Sequence, residues 1–131
     1  MTPKDVVHAY VEAFDAGDWS RMSDLFTPDG EVFGVLGSAP LPAALAIWRE
    51  LHQGLGMRLQ IEALVEEGDS VAARLRERGR FTGAFRGFPG AEPTAKAYEV
   101  LAMEWFELRD GRIARRWGAR DSAAIRSQVG A

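Results

Sequence analysis

The apolar residues of this chain recur at helical spacing as far as Gln53 and at every second position from Arg58 onward, with Gly54 and Gly56 at the change. A period near 3.6 builds an amphipathic helix, and a period of two builds a half-buried strand. The first part is therefore expected to be helical and the second to be sheet. Helices gathered at one end of a chain and strands at the other pack as α+β, with the helices on one face of the sheet.

Within that frame, Thr2 can cap a first helix, Pro3 suits its first position and Asp5 favours its positive end. Val6, Val7, Tyr10, Val11 and Phe14 form its apolar face, and Gly17 ends it. Asp18 can cap a shorter helix carrying Trp19, Met22, Leu25 and Phe26, broken by Thr27-Pro28-Asp29-Gly30. Glu31 to Val35 reads as a short strand. A third helix is expected from about Ala43 to Gln53, with rows Leu45-Trp48-His52 and Ala44-Ile47-Leu51. An antiparallel meander follows: Arg58 to Glu66, Ser70 to Phe81, Lys96 to Leu108 and Arg112 to Arg120. Its turns are Glu67-Gly68-Asp69 and Arg109-Asp110-Gly111-Arg112, and a Gly- and Pro-rich loop spans Thr82 to Ala95. Asp121 leads into a last helix, Ser122 to Gln128. The 131 residues show no internal repeat or linker, so residues 1–131 are expected to form one domain.

Composition narrows the function. A formal net charge of -3 argues against nucleic-acid binding, which shows a basic balance or face. No run approaches the roughly 18 apolar residues of a membrane helix. The N-terminus carries acids within its apolar periodicity and no cleavage pattern, so a cytoplasmic location is expected. The chain has no cysteine, which excludes thiolate catalysis and Cys-ligated metals. His8 and His52 are isolated, and no His/carboxylate cluster at ligand spacing points to a metal.

Strand parity supplies the candidate site. On the long strand Val71, Ala73, Leu75, Glu77 and Phe81 share one face, and Arg74, Arg76, Arg78 and Arg80 the other. The arginines fit cross-strand pairing with Glu99, Glu104 and Glu107 on a solvated or subunit-facing surface. Glu77 is a carboxylate on an apolar face, which marks either a wet strand end or a perturbed functional group. In the last strand, parity places Ile113, Arg115, Trp117, Ala119 and Asp121 together. If that face is concave, Asp121 lies at the mouth of a pocket for which Tyr10, Phe14, Trp19, Phe33, Trp48, His52 and Leu75 are candidate lining residues, with Glu77 and Trp117. Asp is also a favoured helix cap, so Asp121 reads equally as the cap of the helix that follows it.

The run Asp110-Gly111-Arg112-Ile113, then Trp117-Gly118-Ala119-Arg120-Asp121, then Ile125 and Gln128-Val129-Gly130, resembles the C-terminal signature of SnoaL-like polyketide cyclases. Val6 to Phe14, Gly17-Asp18-Trp19, Phe26 to Gly30, Glu67-Gly68-Asp69, Gly79 to Gly83 and Pro93-Thr94 match the same family in order. The resemblance implies the nuclear transport factor 2-like, or cystatin-like, fold: a curved antiparallel sheet wrapped around N-terminal helices, enclosing an apolar cavity. It implies an enzyme that needs no cofactor or metal and acts on a hydrophobic, carbonyl-bearing small molecule by acid–base chemistry, with Asp121 as the acid/base. A homodimer formed through the Arg/Glu sheet face is the expected assembly.

Phe81 and Arg116 stand where family members often carry histidine, and Ala95 follows Pro-Thr where glycine is usual. These departures leave room for a non-catalytic binding or assembly module on the same fold. A third reading resembles limonene-epoxide hydrolase, whose Asp–Arg–Asp constellation places an arginine two residues before an acid. Here Leu75 takes that position before Glu77. An aspartate near the reference pKa of about 3.9 is a poor base for a carbon acid, and burial against apolar surface is what would improve it.

Overall fold

A computed structural model describes residues 1–35 and 37–131 of the chain. Helix α1 (Pro3–Ala16) opens with a reciprocal cap, in which Thr2 Oγ1 accepts the Asp5 N–H and Asp5 Oδ2 accepts the Thr2 N–H. It ends at Gly17, whose φ of 66° is open to glycine at no steric cost. Helix α2 (Trp19–Asp24) is capped by Asp18. Strands β1 (Phe26–Gly34) and β2 (Gly37–Pro40) precede helix α3 (Leu41–Gly54). Strands β3 (Arg58–Glu67), β4 (Ser70–Arg80), β5 (Ala97–Arg109) and β6 (Arg112–Arg120) form the meander, and α4 (Ser122–Val129) closes the chain.

The six strands form one sheet in the order β2-β1-β6-β5-β4-β3. Every neighbouring pair is antiparallel except β1 and β6, which run parallel, with Phe33 opposite Trp117. That pairing joins residues more than eighty apart in sequence, beyond the reach of local pattern. Strand β1 starts at Phe26 rather than Glu31. Thr27 to Gly30 loop out within it, since Phe26 is opposite Ile113 and Glu31 is opposite Arg115. Strand β2 is an addition to the expected elements; its four residues, Gly-Ser-Ala-Pro, carry no apolar alternation, and a proline suits this edge position.

Two bulges shape the sheet. Glu62 is the extra residue of β3 against β4, and Ala114 is the extra residue of β6 against β5. A bulge bends its strand, increases the twist and reverses the parity of every residue beyond it. Helix α1 packs on the concave side against β3 and β4, α3 against β1 and β2, and α4 against β5. The main core gathers Tyr10, Phe14, Phe26, Leu75 and Phe106. A second cluster, with Leu55, Phe81, Phe88, Tyr98 and Ile125, lies under loop 81–96 and α4. Among the described residues no helix is long and apolar enough to cross a membrane.

Candidate active site

The bulge at Ala114 decides what faces the concave side. Ile113 is fully buried, and beyond Ala114 the inward positions become Arg116, Gly118 and Arg120, while Arg115 and Trp117 turn to the convex side. Opposite them, β5 alternates with Val100, Ala102, Glu104, Phe106 and Leu108 inward. Strand β4 places Glu77 inward next to Leu75. Two carboxylates and two guanidiniums thus meet on one apolar face, each with a side chain less than a tenth exposed.

They satisfy one another. Arg116 donates through Nη2 to Glu104 Oε2 at 2.5 Å and through Nε to Glu104 Oε1 at 3.3 Å. Arg120 bridges both carboxylates, from Nη2 to Glu104 Oε2 at 2.8 Å and from Nε to Glu77 Oε1 at 2.5 Å. Tyr10 donates to Glu104 Oε1 at 3.0 Å, and Tyr98 to Glu77 Oε2 at 2.9 Å. The cluster is formally neutral, which is the condition for keeping charges in an apolar interior.

Its protonation states follow from position. Burial pushes the Tyr10 and Tyr98 hydroxyls well up, so both stay protonated and act as donors. Burial also works against the charge on Glu104, but the neighbouring Arg116 and Arg120 charges and the hydrogen bonds together outweigh it and hold the carboxyl below its usual range. For Arg116 and Arg120, burial opposes the charge and the facing carboxylates more than restore it, leaving both firmly protonated.

Two glycines make room for this arrangement. A Cβ at Gly118 would stand 2.5 Å from Arg116 Nη2 and 2.6 Å from Cζ, so the guanidinium folds back across its own strand only because residue 118 has no side chain. A Cβ at Gly79 would collide with the Leu55 carbonyl oxygen and stand 2.5 Å from the Tyr98 ring. Gly79 is the register partner of Tyr98, and Gly118 of Glu104. Each glycine therefore clears the path of one cluster member. The Arg116 guanidinium is covered on its other side by the Trp48 ring, 5.5 Å away.

Above the cluster is a cavity of about 110 Å³, walled by α3 through Ala44, Ile47, Trp48 and Leu51, by Val32 of β1 and by Phe88 of loop 81–96. Arg116 and Arg120 supply its charged surface, and Ser122 and the exposed Val35 also line it. The loop is tied down by Arg86, whose Nε and backbone N–H donate to the Glu50 carboxylate at 2.7 and 2.9 Å. Among the described residues no three His, Asp or Glu side chains gather as a metal-holding group.

The profile of the SnoaL-like polyketide cyclase family matches residues 4–129. The chain belongs to that family. No curated protein matches its sequence. Among solved structures, IdmH of Streptomyces antibioticus, described as a proposed polyketide cyclase, is 25% identical over the whole of both chains with a TM-score of 0.85. A proposed SnoaL-like polyketide cyclase from Jannaschia sp. CCS1 is 21% identical, with 98% of this chain and 92% of that chain covered and a TM-score of 0.87. AclR of Streptomyces galilaeus, a proposed hydroxylase, is 18% identical, with 98% and 95% covered and a TM-score of 0.85. The last two likenesses concern the fold, which matches the cone of this family.

Against the family expectation, the residues singled out from sequence fall in different places. Trp48 lines the cavity. Tyr10 and Glu77 stand behind it as partners of the buried pairs, and Leu75 is plain core. Phe14, Trp19 and His52 form an edge-to-face cluster where α1 and α2 meet α3, which Phe14 joins to Trp48, and His52 Nε2 is 3.1 Å from the Asp15 carbonyl oxygen. Phe33 and Trp117 stack on each other at 5.0 Å, on the convex side.

The placement of Asp121 on a concave Trp117 face is therefore corrected: the Ala114 bulge turns Trp117 outward. Asp121 is exposed, and its Oδ1 accepts the Ala124 N–H as the cap of α4. Its chain neighbours Arg120 and Ser122 both line the cavity, while Asp121 itself does not. Arg116 and Arg120 belong inside rather than with the solvated arginines, and Glu104 is buried rather than paired on the outer face. Of the outer pairs, Arg78–Glu99 forms at 2.6 Å, while Arg74 and Arg76 both reach Glu62 of β3. An arginine does stand between two carboxylates, Glu77 and Glu104, but β6 supplies it rather than the position two residues before Glu77.

Proposed function

We propose that this chain takes a hydrophobic, carbonyl-bearing small molecule into the cavity and carries out acid–base chemistry on it, of the ring-closing or isomerising kind. The observation that carries the reading is an apolar cavity whose charged inner wall consists of two guanidiniums. Membership of the family and the 25% identity to IdmH, a proposed polyketide cyclase, support it. A volume of about 110 Å³ is smaller than the roughly 150 Å³ cavity that accepts benzene, so the cavity takes one end of the ligand and the rest extends past the rim. Asp121, which its cavity-lining neighbours Arg120 and Ser122 bring to that rim, is the acid/base; exposed in the free chain, it gains the apolar cover that such a base needs from a ligand seated over it. It takes an α-proton; the C–H electron pair shifts onto the carbonyl oxygen as an enolate; the enolate carbon attacks a second carbonyl; and the proton returns to the new alkoxide.

Asparagine caps helices about as well as aspartate, so Asp121→Asn keeps the cap and removes the base. The expected result is unchanged stability with turnover reduced at least a hundredfold, within the usual contribution of a general base. Unchanged turnover of a β-diketone test substrate would remove Asp121 from the chemistry.

A second reading, a non-catalytic binding module, draws on one observation. Glu77 and Glu104 are both held by arginines, and no carboxylate is among the described residues lining the cavity. It predicts ligand binding without turnover in the wild type.

The convex face suits a second copy of the chain. Leu101, Met103 and Trp105 are 46%, 49% and 45% exposed, side by side with the stacked Trp117 and Phe33. Such a contiguous apolar strip flanked by Arg and Glu is characteristic of an interface.

A further inference from the structure

Each arginine of the cluster has five N–H donors in a fixed fork. Arg120 commits Nε to Glu77 and Nη2 to Glu104, and among the described residues Nη1 donates to none. Thr27 Oγ1 is the one side-chain N or O atom found both sealed from solvent and unpartnered among the described residues, so Arg120 Nη1 is not a sealed orphan. The open space beside Arg120 is the cavity. Arg116 also lines the cavity, and its Nη1 has only the Phe33 carbonyl oxygen at 3.5 Å, the outer limit of a hydrogen bond.

The charge of both guanidiniums is already balanced by Glu77 and Glu104. What remains on the cavity side is donor capacity without net positive charge. A permanent carboxylate entering there would give up its hydration and leave the buried assembly with an unbalanced negative charge. A neutral carbonyl gives up far less hydration and accepts the spare N–H groups directly. Negative charge that develops on that oxygen only during reaction is met by donors already in place, the arrangement that favours a transition state over a ground state.

We propose that Arg120 Nη1, with the Arg116 guanidinium as a second cavity-lining donor, is the donor site for a neutral ketone or ester oxygen of the ligand, and that the cavity selects against the corresponding free acid. This inference rests on the proposed function for the ligand's entry into the cavity, but not on turnover. Arg120 is thereby a specificity-determining residue, separate from the rim group Asp121.

The test compares three one-ring probes of nearly equal shape on the wild-type protein: acetophenone, ethylbenzene and benzoate, with affinities from NMR titration. Acetophenone is expected to bind about tenfold more tightly than ethylbenzene, as a hydrogen bond from a charged donor provides. Benzoate is expected to bind at least tenfold more weakly than acetophenone. With carbonyl-¹³C acetophenone, the carbonyl resonance should move downfield on binding. Arg120→Lys keeps the charge and removes the fork, and should bring acetophenone down to the affinity of ethylbenzene while leaving ethylbenzene unchanged.

Equal binding of acetophenone and ethylbenzene, or benzoate bound as tightly as acetophenone, overturns the proposal. If Arg120→Lys does not fold, the wild-type order and the ¹³C shift decide alone. Binding of none of the three removes the cavity as a ligand site and the proposed function with it. Failure of the Asp121→Asn test alone would leave the binding order intact, so the two readings fail separately.

Discussion

Replacing Glu104 with glutamine is the sharpest perturbation of the buried cluster. The substitution keeps shape and removes one negative charge, leaving Arg116 and Arg120 facing Glu77 alone. Glu104 accepts from Arg116, Arg120 and Tyr10, so no other group can take over its role without moving. Breaking a buried pair from one side costs roughly 3–5 kcal/mol, because the remaining charge stays buried and unbalanced. A domain of this size has about 5–15 kcal/mol in total and stays folded, with a urea midpoint lower by about 2 M at a slope of about 2 kcal/mol/M. Removing the orphaned charge as well, in Glu104→Gln/Arg116→Met, should recover at least half of that loss. The wild type should show the same group in its pH dependence. Because the folded carboxyl is held below its unfolded value, its stabilisation is complete above about pH 4.3. It is lost as pH falls below that value and through the folded pKa. Urea curves at pH 7 and at steps below pH 4.5 measure both effects. A single-mutant cost under about 1 kcal/mol, or a double mutant no better than the single, would refute the view that charge balance governs this cluster.

Gly118→Ala should displace the Arg116 guanidinium, since the new Cβ would stand 2.5 Å from it; a loss of about 1–3 kcal/mol in urea unfolding is expected, with weakened acetophenone binding. Asp121→Ala should cost about 1 kcal/mol through loss of the Ala124 cap, against a few tenths at most for Asp121→Asn, by the same measurement. Trp105→Glu places a charge in the middle of the convex apolar strip, and sedimentation at micromolar concentration should report a shift from dimer to monomer with the fold intact by circular dichroism. A wild type already monomeric there would withdraw the proposed interface.

Much of this architecture can be read from the chain because it is written in repeats of one short period. The change at Gly54–Gly56 separates helices from meander, and the alternation on β4 places Val71, Ala73, Leu75 and Glu77 on the buried side. The site is harder to read because it depends on one inserted residue. In Arg112-Ile113-Ala114-Arg115-Arg116-Trp117, nothing in composition marks Ala114 as unpaired, yet that residue exchanges the faces of Arg116 and Trp117. A strict alternation then assigns the aromatic to the cavity and the arginine to solvent, the reverse of what is found.

Two signals in the sequence could still have corrected it. Glu104 shares parity with Val100, Ala102, Phe106 and Leu108, so it is a carboxylate on an apolar face just as Glu77 is. Two such acids on neighbouring strands need two buried cations, and β6 is the strand that can supply them. Gly118, between Arg116 and Arg120, is the space those cations require. The demand for charge balance in an apolar interior thus predicts inward arginines where parity alone does not. By the same reasoning Arg116, at the position where the resemblance leads to the expectation of a histidine, keeps its charge at every working pH. A neutral carbonyl is the partner that such a fixed, already balanced charge can still serve.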